Sequence, residues 1–441
     1  MSALLEMMRS RFVRVLLVGF LVLLLQVPGC MIGQLAAGRQ QSRDAAVAEL
    51  ARTWGGRQDV LGPFLVVPYL VKGKDDKGQP KTWGDWVVVL PEALDVESQP
   101  EVEARRRGLF EVPVFRATVR MRGRFRAPYD DVLPHLPEGA TVNWAGAHLA
   151  VRLSDVHALD RVAPLQWQGK ARDFEPGGGA ACASGVHAPL GALDPHASAP
   201  FAIELELRGS QGLRFAPAGR ETTVALRSSW PHPAFQGAWL PRDREVGEGG
   251  FTARWQVSSI ARGLPAAWSL GGLDDAQLTG TLFGVDLLYP VDPYRMSERS
   301  LKYSTLFVGL SFLVLWLFEL LTRRPVHLVQ YLMFGAALCL FYLLELSLAE
   351  HFGFAVAYAV AASAVTLQVS LYARAALGSW RGAWLIFAAV TALYALLYLL
   401  LREEDYALLV GSGALFAVLS LVMFLTRRVR WDGSAEAPAR Q

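Results

Sequence analysis

The segment VLLVGFLVLLL, residues 15–25, lies in the middle of an apolar run, residues 12–32, whose ionisable side chains are limited to Arg14 and Cys30. About 20 apolar residues suffice to cross ~30 Å of hydrocarbon as a helix. Five more runs of similar length follow residue 302, at 303–321, 326–348, 352–372, 383–401 and 406–425. Soluble proteins bury helices this apolar, but not six times with basic residues at alternate ends. The pattern predicts six transmembrane helices.

The composition agrees with a membrane protein. Of the 441 residues 52% are hydrophobic and 19% charged, with a mean hydropathy of +0.27, whereas soluble domains contain about 25% charged residues. Extensive disorder is excluded by the abundant apolar residues. The net charge of +3 is too small to indicate nucleic-acid binding. Three cysteines are too few for a disulfide framework or a structural zinc site.

Lysine and arginine near the helix ends predict the orientation. The basic ends contain Arg9, Arg11 and Arg14, then Arg323 and Arg324, then Arg374 and Arg381, and finally Arg427, Arg428 and Arg430. The alternate ends are acidic or mixed, at Glu350-His351 and residues 402–405. A cytoplasmic N-terminus puts every basic cluster in the cytoplasm, so both termini are predicted inside and residues 33–300 outside.

This arrangement of the chain across the membrane predicts four parts. They are a cytoplasmic N-terminus with the first transmembrane helix (1–32), an exported domain (33–300), five transmembrane helices (301–426) and a basic cytoplasmic tail (427–441). An alternative is a lipoprotein signal peptide ending at Cys30. An uncleaved anchor is favoured because the apolar run continues past Cys30. Either way the next domain is exported, and Cys182 within it is expected to be an unpaired thiol.

The exported segment alternates apolar and polar residues with a period of two, which is typical of half-buried strands. In residues 201–207 Glu204 and Glu206 face away from the apolar side, and in residues 148–153 His148 and Arg152 do so. Helical periodicity is convincing only in residues 34–54. The fold class predicted is therefore an α+β membrane protein. Its β-rich, antiparallel sandwich-like domain is inserted between the first helix and a C-terminal five-helix bundle.

Motifs that carry chemistry are absent from the sequence. There is no phosphate-binding loop, no HExxH zinc motif and no GxSxG elbow. The histidines of the exported domain are far apart in sequence, at His135, His148, His157, His187, His196 and His232. The sequence thus predicts no metal, no cofactor and no catalytic residue.

One strand carries a row of four arginines: Arg120, Arg122, Arg124 and Arg126. Spacing by two puts all four guanidinium groups on one face, where their forked donors suit phosphate. The row is thus a candidate site for anionic envelope lipids or glycans. The favoured alternative is a solvated face neutralised by acidic residues nearby, namely Glu101, Glu103, Glu111, Asp130 and Asp131.

Two carboxylates fall inside the predicted transmembrane helices. Glu319 lies near the inner end of the second helix and Glu345 near the outer end of the third. A central intramembrane carboxylate costs ~2.5–3.5 kcal/mol on insertion scales, so each is a functional candidate by default. Because they lie near opposite interfaces, a structural role is favoured over a proton pathway.

Several passages resemble the CreD family of bacterial inner-membrane proteins. They are residues 58–68 (QDVLGPFLVVP), residues 228–237 (SSWPHPAFQG, with Trp230 and His232), Lys302-Tyr303, Phe318-Glu319, Gln330-Tyr331 and Glu350-His351. The likeness extends over nearly the whole chain. Glu345 departs from the family pattern, which usually has an apolar residue there.

The resemblance implies an inner-membrane protein that contributes to cell-envelope integrity and to the stress response. The family is also associated with tolerance to colicins. Its candidate residues are Glu319, Glu350, His351, Trp230 and His232. The family offers no catalytic residues to transfer, so we expect a non-enzymatic protein acting through its periplasmic domain. The expected partners are the lipid bilayer and envelope proteins. The alternatives are a transporter of small solutes, ions or lipids and, least favoured, a membrane-bound enzyme.

Overall fold

The chain forms two compact units, one comprising residues 1–42 and 291–441 and the other residues 43–290. The computed structural model describes residues 11–74, 79–108, 110–127, 129, 136, 140–180, 182–270, 272–287, 293–322, 326–403 and 406–427. The predicted domain boundaries were 32/33 and 300/301. About ten residues at each end of the predicted exported domain therefore cluster with the helices instead.

The described helices are distributed over both units. They are α1 (Arg11–Leu24), α2 (Gln26–Trp54), α3 (Ser259–Arg262), α4 (Asp275–Thr279), α5 (Pro293–Lys302), α6 (Ser304–Thr322), α7 (Leu328–Phe352), α8 (Phe354–Leu377), α9 (Trp380–Arg402) and α10 (Ala407–Thr426). Five spans are long and apolar enough to cross a membrane, and six if α5 and α6, which meet at 48°, count as one broken span. The six predicted helices match the higher count.

The first helical region differs from the prediction of two separate helices. After a break at Leu25, α2 runs without interruption from Gln26 to Trp54. Pro28 lies in the first turn of α2, where a missing N–H is tolerated. Residues 34–54 are rich in Ala, Gln and Arg, which favour helix. The helix therefore continues past residue 32.

Nineteen described strands make up the second unit. They are β1 (Gln58–Lys74), β2 (Pro80–Val89), β3 (Ala93–Arg107), β4 (Phe110–Phe125), β5 (Ala140–Val142), β6 (His148–Leu153), β7 (Leu159–Val162), β8 (Leu165–Trp167), β9 (Lys170–Arg172), β10 (Glu175–Gly178), β11 (Cys182–Pro189), β12 (Ala199–Ser210), β13 (Gly212–Phe215), β14 (Glu221–Ser228), β15 (Pro233–Gly237), β16 (Asp243–Gly247), β17 (Gly250–Ser258), β18 (Ala267–Ser269) and β19 (Phe283–Leu287).

The strands form two mixed sheets. The ten-stranded sheet has the order β10-β11-β6-β1-β13-β19-β15, with β2 and β5 on β1 and β18 on β2. The nine-stranded sheet has the order β16-β17-β14-β3-β4-β12-β8-β9, with β7 on β12. Each sheet has one described parallel pair, β1 with β13 and β3 with β14. The predicted antiparallel pairing holds for the other described strand pairs, and these two pairs are parallel because long connections allow the crossovers that parallel pairing requires.

The two sheets share one hydrophobic core. Strand β12 alternates buried and less buried residues along its length, as predicted for residues 201–207, and β17 does the same. Trp255 of β17 is completely buried and its ring lies 5.7 Å from that of Phe283 in the opposite sheet. The second unit is thus a β-sandwich-like domain.

The helical unit has its own core, rich in aromatic side chains. The ring of Phe341 lies 4.6 Å from that of Tyr394 and 5.3 Å from that of Tyr358. Helix α10 contributes no described buried residue. Its apolar surface suits contact with lipid chains rather than with protein.

Candidate functional sites

Arg120, Arg122 and Arg124 lie on β4 in the nine-stranded sheet, and Arg126 directly follows the end of this strand. Arg120 donates to Oε2 of Glu204 at 2.9 Å. Arg122, Arg124 and Arg126 are exposed, and none of them forms an ion pair within the described ranges. One end of the row is therefore neutralised, while the other end presents three exposed guanidinium groups that form no ion pair with the described residues.

Two of the acidic residues predicted to neutralise the row pair with other arginines. Glu103 pairs with Arg105 at 2.8 Å and Glu111 with Arg106 at 2.7 Å. Glu101 is in register with Arg116. Asp130 and Asp131 lie outside the described residues. Strand register explains the difference, because β3 places Glu97 opposite Arg120 and Asp95 opposite Arg122.

A groove of about 660 Å³ adjoins the paired end of the row. It is lined by Arg120 together with acidic and basic side chains, including Glu97, Glu101, Arg227, Asp243 and Arg254. The two signs alternate along its walls. The unpaired positive charge is therefore found beyond the groove, at Arg122, Arg124 and Arg126.

Trp230 and His232 form a local turn instead of a core anchor. The Trp230 ring is half-buried, and its Nε1 donates to the backbone oxygen of His232 at 3.2 Å. The two rings meet edge to face at 6.4 Å, and His232 is exposed. The Trp230 ring packs against the edge of the β-domain core but keeps part of its surface exposed. The fully buried tryptophan is Trp255, whose Nε1 donates to the oxygen of Trp239 at 3.1 Å.

Glu350 and His351 lie at the end of α7, where the chain turns into α8 at Gly353. The hydroxyl of Tyr294 donates to Oε1 of Glu350 at 3.2 Å, and Nε of Arg39 lies 3.4 Å from the same oxygen. His351 is exposed. Glu350, at the end of α7, therefore connects the middle of α2 and the start of α5 through one carboxylate.

Glu319 is half-buried on α6. The hydroxyl of Tyr331, on α7, donates to its Oε2 at 3.1 Å. The structure thus brings Glu350 together with Arg39 and Tyr294, and Glu319 together with Tyr331. It does not place Glu319 and Glu350 in one described hydrogen-bonded cluster.

Two histidines that are remote in sequence meet in the β domain. The rings of His148 (β6) and His187 (β11) lie 5.4 Å apart, and the Trp86 ring packs on His148 at 5.5 Å. His148 was predicted to face solvent but is buried. The turn at Gly179, whose φ is +61°, covers the His148 ring so closely that a side chain there would collide with Nε2.

His148 is expected to destabilise the β domain in acid. Burial, and secondarily the neighbouring His187, lower the pKa of His148. The unfolded chain then binds a proton more readily, so stability falls as the pH drops below about 6.5, the ordinary histidine value. We expect His148→Phe, which keeps a ring, to flatten the loss of melting temperature between neutral and mildly acidic pH. His196→Phe, a change of an exposed histidine, should leave the loss unchanged. Equal slopes for His148→Phe and the unmodified chain would contradict this role.

Among the described residues, no group of three or more His, Cys, Asp or Glu side chains is arranged to hold a metal ion. His135 lies outside these residues. The thiols of Cys30 and Cys339 are free, the first exposed and the second buried. Cys182 begins β11, but its side chain is outside the described set.

Sequence reasoning missed three features of the structure. The first is the pairing of His148 with His187. The second is the buried guanidinium of Arg262, which donates to backbone oxygens including that of Ala218 at 2.7 Å. The third is Ser300, whose Oγ donates to Glu345 at 2.7 Å inside the helical unit. Helical spacing of Ser297 and Ser300 on a charged helix was the one available signal.

Long apolar helices combined with an inserted two-sheet domain define a multi-pass membrane protein. The family described as "Inner membrane protein CreD" matches residues 10–432. The Inner membrane protein CreD of Escherichia coli (strain K12) is 31% identical over 421 residues, which cover 93% of this chain and 91% of the relative. The chain therefore belongs to the CreD family. It is a multi-pass protein of the inner membrane.

Proposed function

We propose that this protein contributes to cell-envelope integrity and stress response without catalysing a reaction. It acts through its β domain, which lies in the periplasm. Membership of the CreD family and the alternation of basic and acidic helix ends support this proposal. In this arrangement both chain termini are cytoplasmic.

The observation that carries the proposal is the row of three exposed guanidinium groups along β4 and directly after its end. Arg122, Arg124 and Arg126 have no ion-pair partner in the part of the chain that the structure describes. Guanidinium groups spaced by two along a strand match the spacing of several anionic groups on one surface, and each binds phosphate through two parallel donors. Anionic envelope lipids or glycans are the partners that this surface fits.

The orientation is tested with reporter fusions. We expect a fusion after residue 150 to be active only with a periplasmic reporter, and a fusion after residue 430 only with a cytoplasmic one, because the basic helix ends stay in the cytoplasm. A cytoplasmic signal at residue 150 would overturn the arrangement.

The role of the arginine row is tested by complementation of a deletion strain. The triple variant Arg122→Gln, Arg124→Gln, Arg126→Gln should lose resistance to envelope stress at normal protein level, because it removes the unpaired charges. The matched control is Arg120→Gln with Glu204→Gln, which removes one internally neutral pair from the same face. Full activity of the triple variant would eliminate this surface as the site of action.

A second candidate function is transport of a small solute, an ion or a lipid by the helical unit. The observation that favours it is Glu345, a carboxylate with no exposed surface inside that unit. Flux of a solute in proteoliposomes, abolished by Glu345→Gln, is the result that this alternative requires.

A further inference from the structure

Glu345 is the most deeply buried carboxylate of the described helices. Its side chain has no solvent exposure. Oγ of Ser300 donates to its Oε2 at 2.7 Å, while Oε1 has no hydrogen-bond partner within the described residues. An isolated ionised carboxylate is expensive to bury, so something must neutralise it.

The surroundings of Glu345 are rich in oxygen atoms. Ser297 and Ser300, one turn apart on α5, both face the carboxyl group and are buried. Tyr342 on α7 and Tyr394 on α9 lie within electrostatic range of it. The hydroxyls of Ser297, Tyr342 and Tyr394 have no hydrogen-bond partner in the described part of the chain. We call these five side chains the Glu345 cluster.

Within the described ranges, no basic side chain neutralises the Glu345 cluster. Among the described residues, no Lys, Arg or His forms an ion pair with Glu345. On the neighbouring α5, Lys302 pairs with Glu298 at 2.9 Å, and Arg299 donates to the backbone oxygen of Leu400. Other described groups against the cluster are Tyr358 on α8, Cys339 on α7 and the rings of Phe307 on α6 and Phe341 on α7.

We propose that the Glu345 cluster binds a monovalent cation, either a proton or Na⁺. One carboxylate supplies one negative charge, which a monovalent cation cancels completely. A divalent ion would leave a net positive charge in a medium of low dielectric constant. Carboxylate and hydroxyl oxygens are hard donors that suit hard cations. The site is independent of the β-domain function proposed above.

The purified full chain in detergent separates the two cations. If Na⁺ is the ligand, NaCl raises the melting temperature relative to choline chloride at equal ionic strength. This difference disappears in Glu345→Gln. If the proton is the ligand, NaCl has no specific effect. The protein then shows the infrared band of a protonated carboxyl group. The intensity of this band changes with pH while the protein is folded, and the band is missing in Glu345→Gln. Glu319→Gln is the matched control, since its carboxylate is only half-buried, and it should behave as the unmodified chain in both measurements.

Ser300→Ala keeps the test decisive if Glu345→Gln does not fold. It retains the carboxylate but removes the 2.7 Å hydrogen bond. We expect the midpoint for Na⁺, or for the proton, to shift by about tenfold, the equivalent of losing one charged hydrogen bond. The proposal is overturned if Na⁺ has no specific effect and the carboxyl band is missing or constant over the pH range in which the protein is folded. A midpoint unchanged in Ser300→Ala overturns it as well.

Discussion

Trp255→Ala should lower the free energy of unfolding of the β domain by about 3–5 kcal/mol. Trp255 has no exposed surface and its ring contacts Phe283 and Phe235 of the opposite sheet. Alanine would leave a cavity between the two sheets and remove the donor to the Trp239 oxygen, 3.1 Å away. Urea unfolding of the fragment 43–290, or pulse proteolysis of the full chain, measures the loss.

Trp230→Ala is the matched control for this prediction. Both variants remove an indole ring, but that of Trp230 is half-buried and bonds within its own turn. Its loss should be clearly smaller than that of Trp255→Ala. A larger loss for Trp230→Ala would mean that the ring at Trp230, and not the one at Trp255, anchors the packing of the sheets.

Arg262→Met should destabilise the β domain by about 3 kcal/mol. The side chain is buried, and its Nη1 donates to the backbone oxygens of Pro217, Ala218 and Gly219. Hydrogen bonds to a charged group contribute ~1.5–3 kcal/mol each, and buried carbonyls left without a donor carry a further desolvation cost. Burial lowers the pKa of Arg262 to about 10, so the group stays charged at neutral pH.

Arg262→Lys and Arg242→Met are the comparisons. Lysine keeps the charge but lacks the planar fork that reaches several carbonyls, so it should recover only part of the stability. Arg242 is partly exposed and bonds to Gln256 at 2.8 Å, so Arg242→Met should cost less than 1 kcal/mol, as for surface substitutions. Equal effects at positions 242 and 262 would show that the carbonyl cluster is not held by the guanidinium.

Local patterns predicted the elements of this protein well. The period of two predicted in residues 201–207 is confirmed by the alternating burial along β12. The predicted apolar runs form helices in the structure, because a helix needs about 20 apolar residues in a row to cross the hydrocarbon layer. The strand that each strand pairs with could not be predicted from local patterns. The parallel pairs β1 with β13 and β3 with β14 join residues far apart in the chain, and no local period records them.

The candidate sites show the same distinction between patterns within one segment and contacts between segments. The arginine row could be predicted because its four members alternate within seven consecutive residues of the chain. The hydrogen bond between Glu345 and Ser300 joins α7 to α5, and the contact of His148 with His187 joins β6 to β11. Residue spacing within one helix or strand says nothing of which other element covers it, so His148 was predicted exposed.

The sequence by itself determined the class of this protein: its apolar helices, its inserted β-rich domain and its resemblance to the CreD family. Length and hydrophobicity are properties of single segments, and they determine for each segment separately whether it can cross the membrane. Only the tertiary structure decided which polar groups are isolated from water. Burial depends on every element packed around a residue, and this is why Glu345 and Arg262 end with no exposure or almost none while Arg122, Arg124 and Arg126 stay open to solvent.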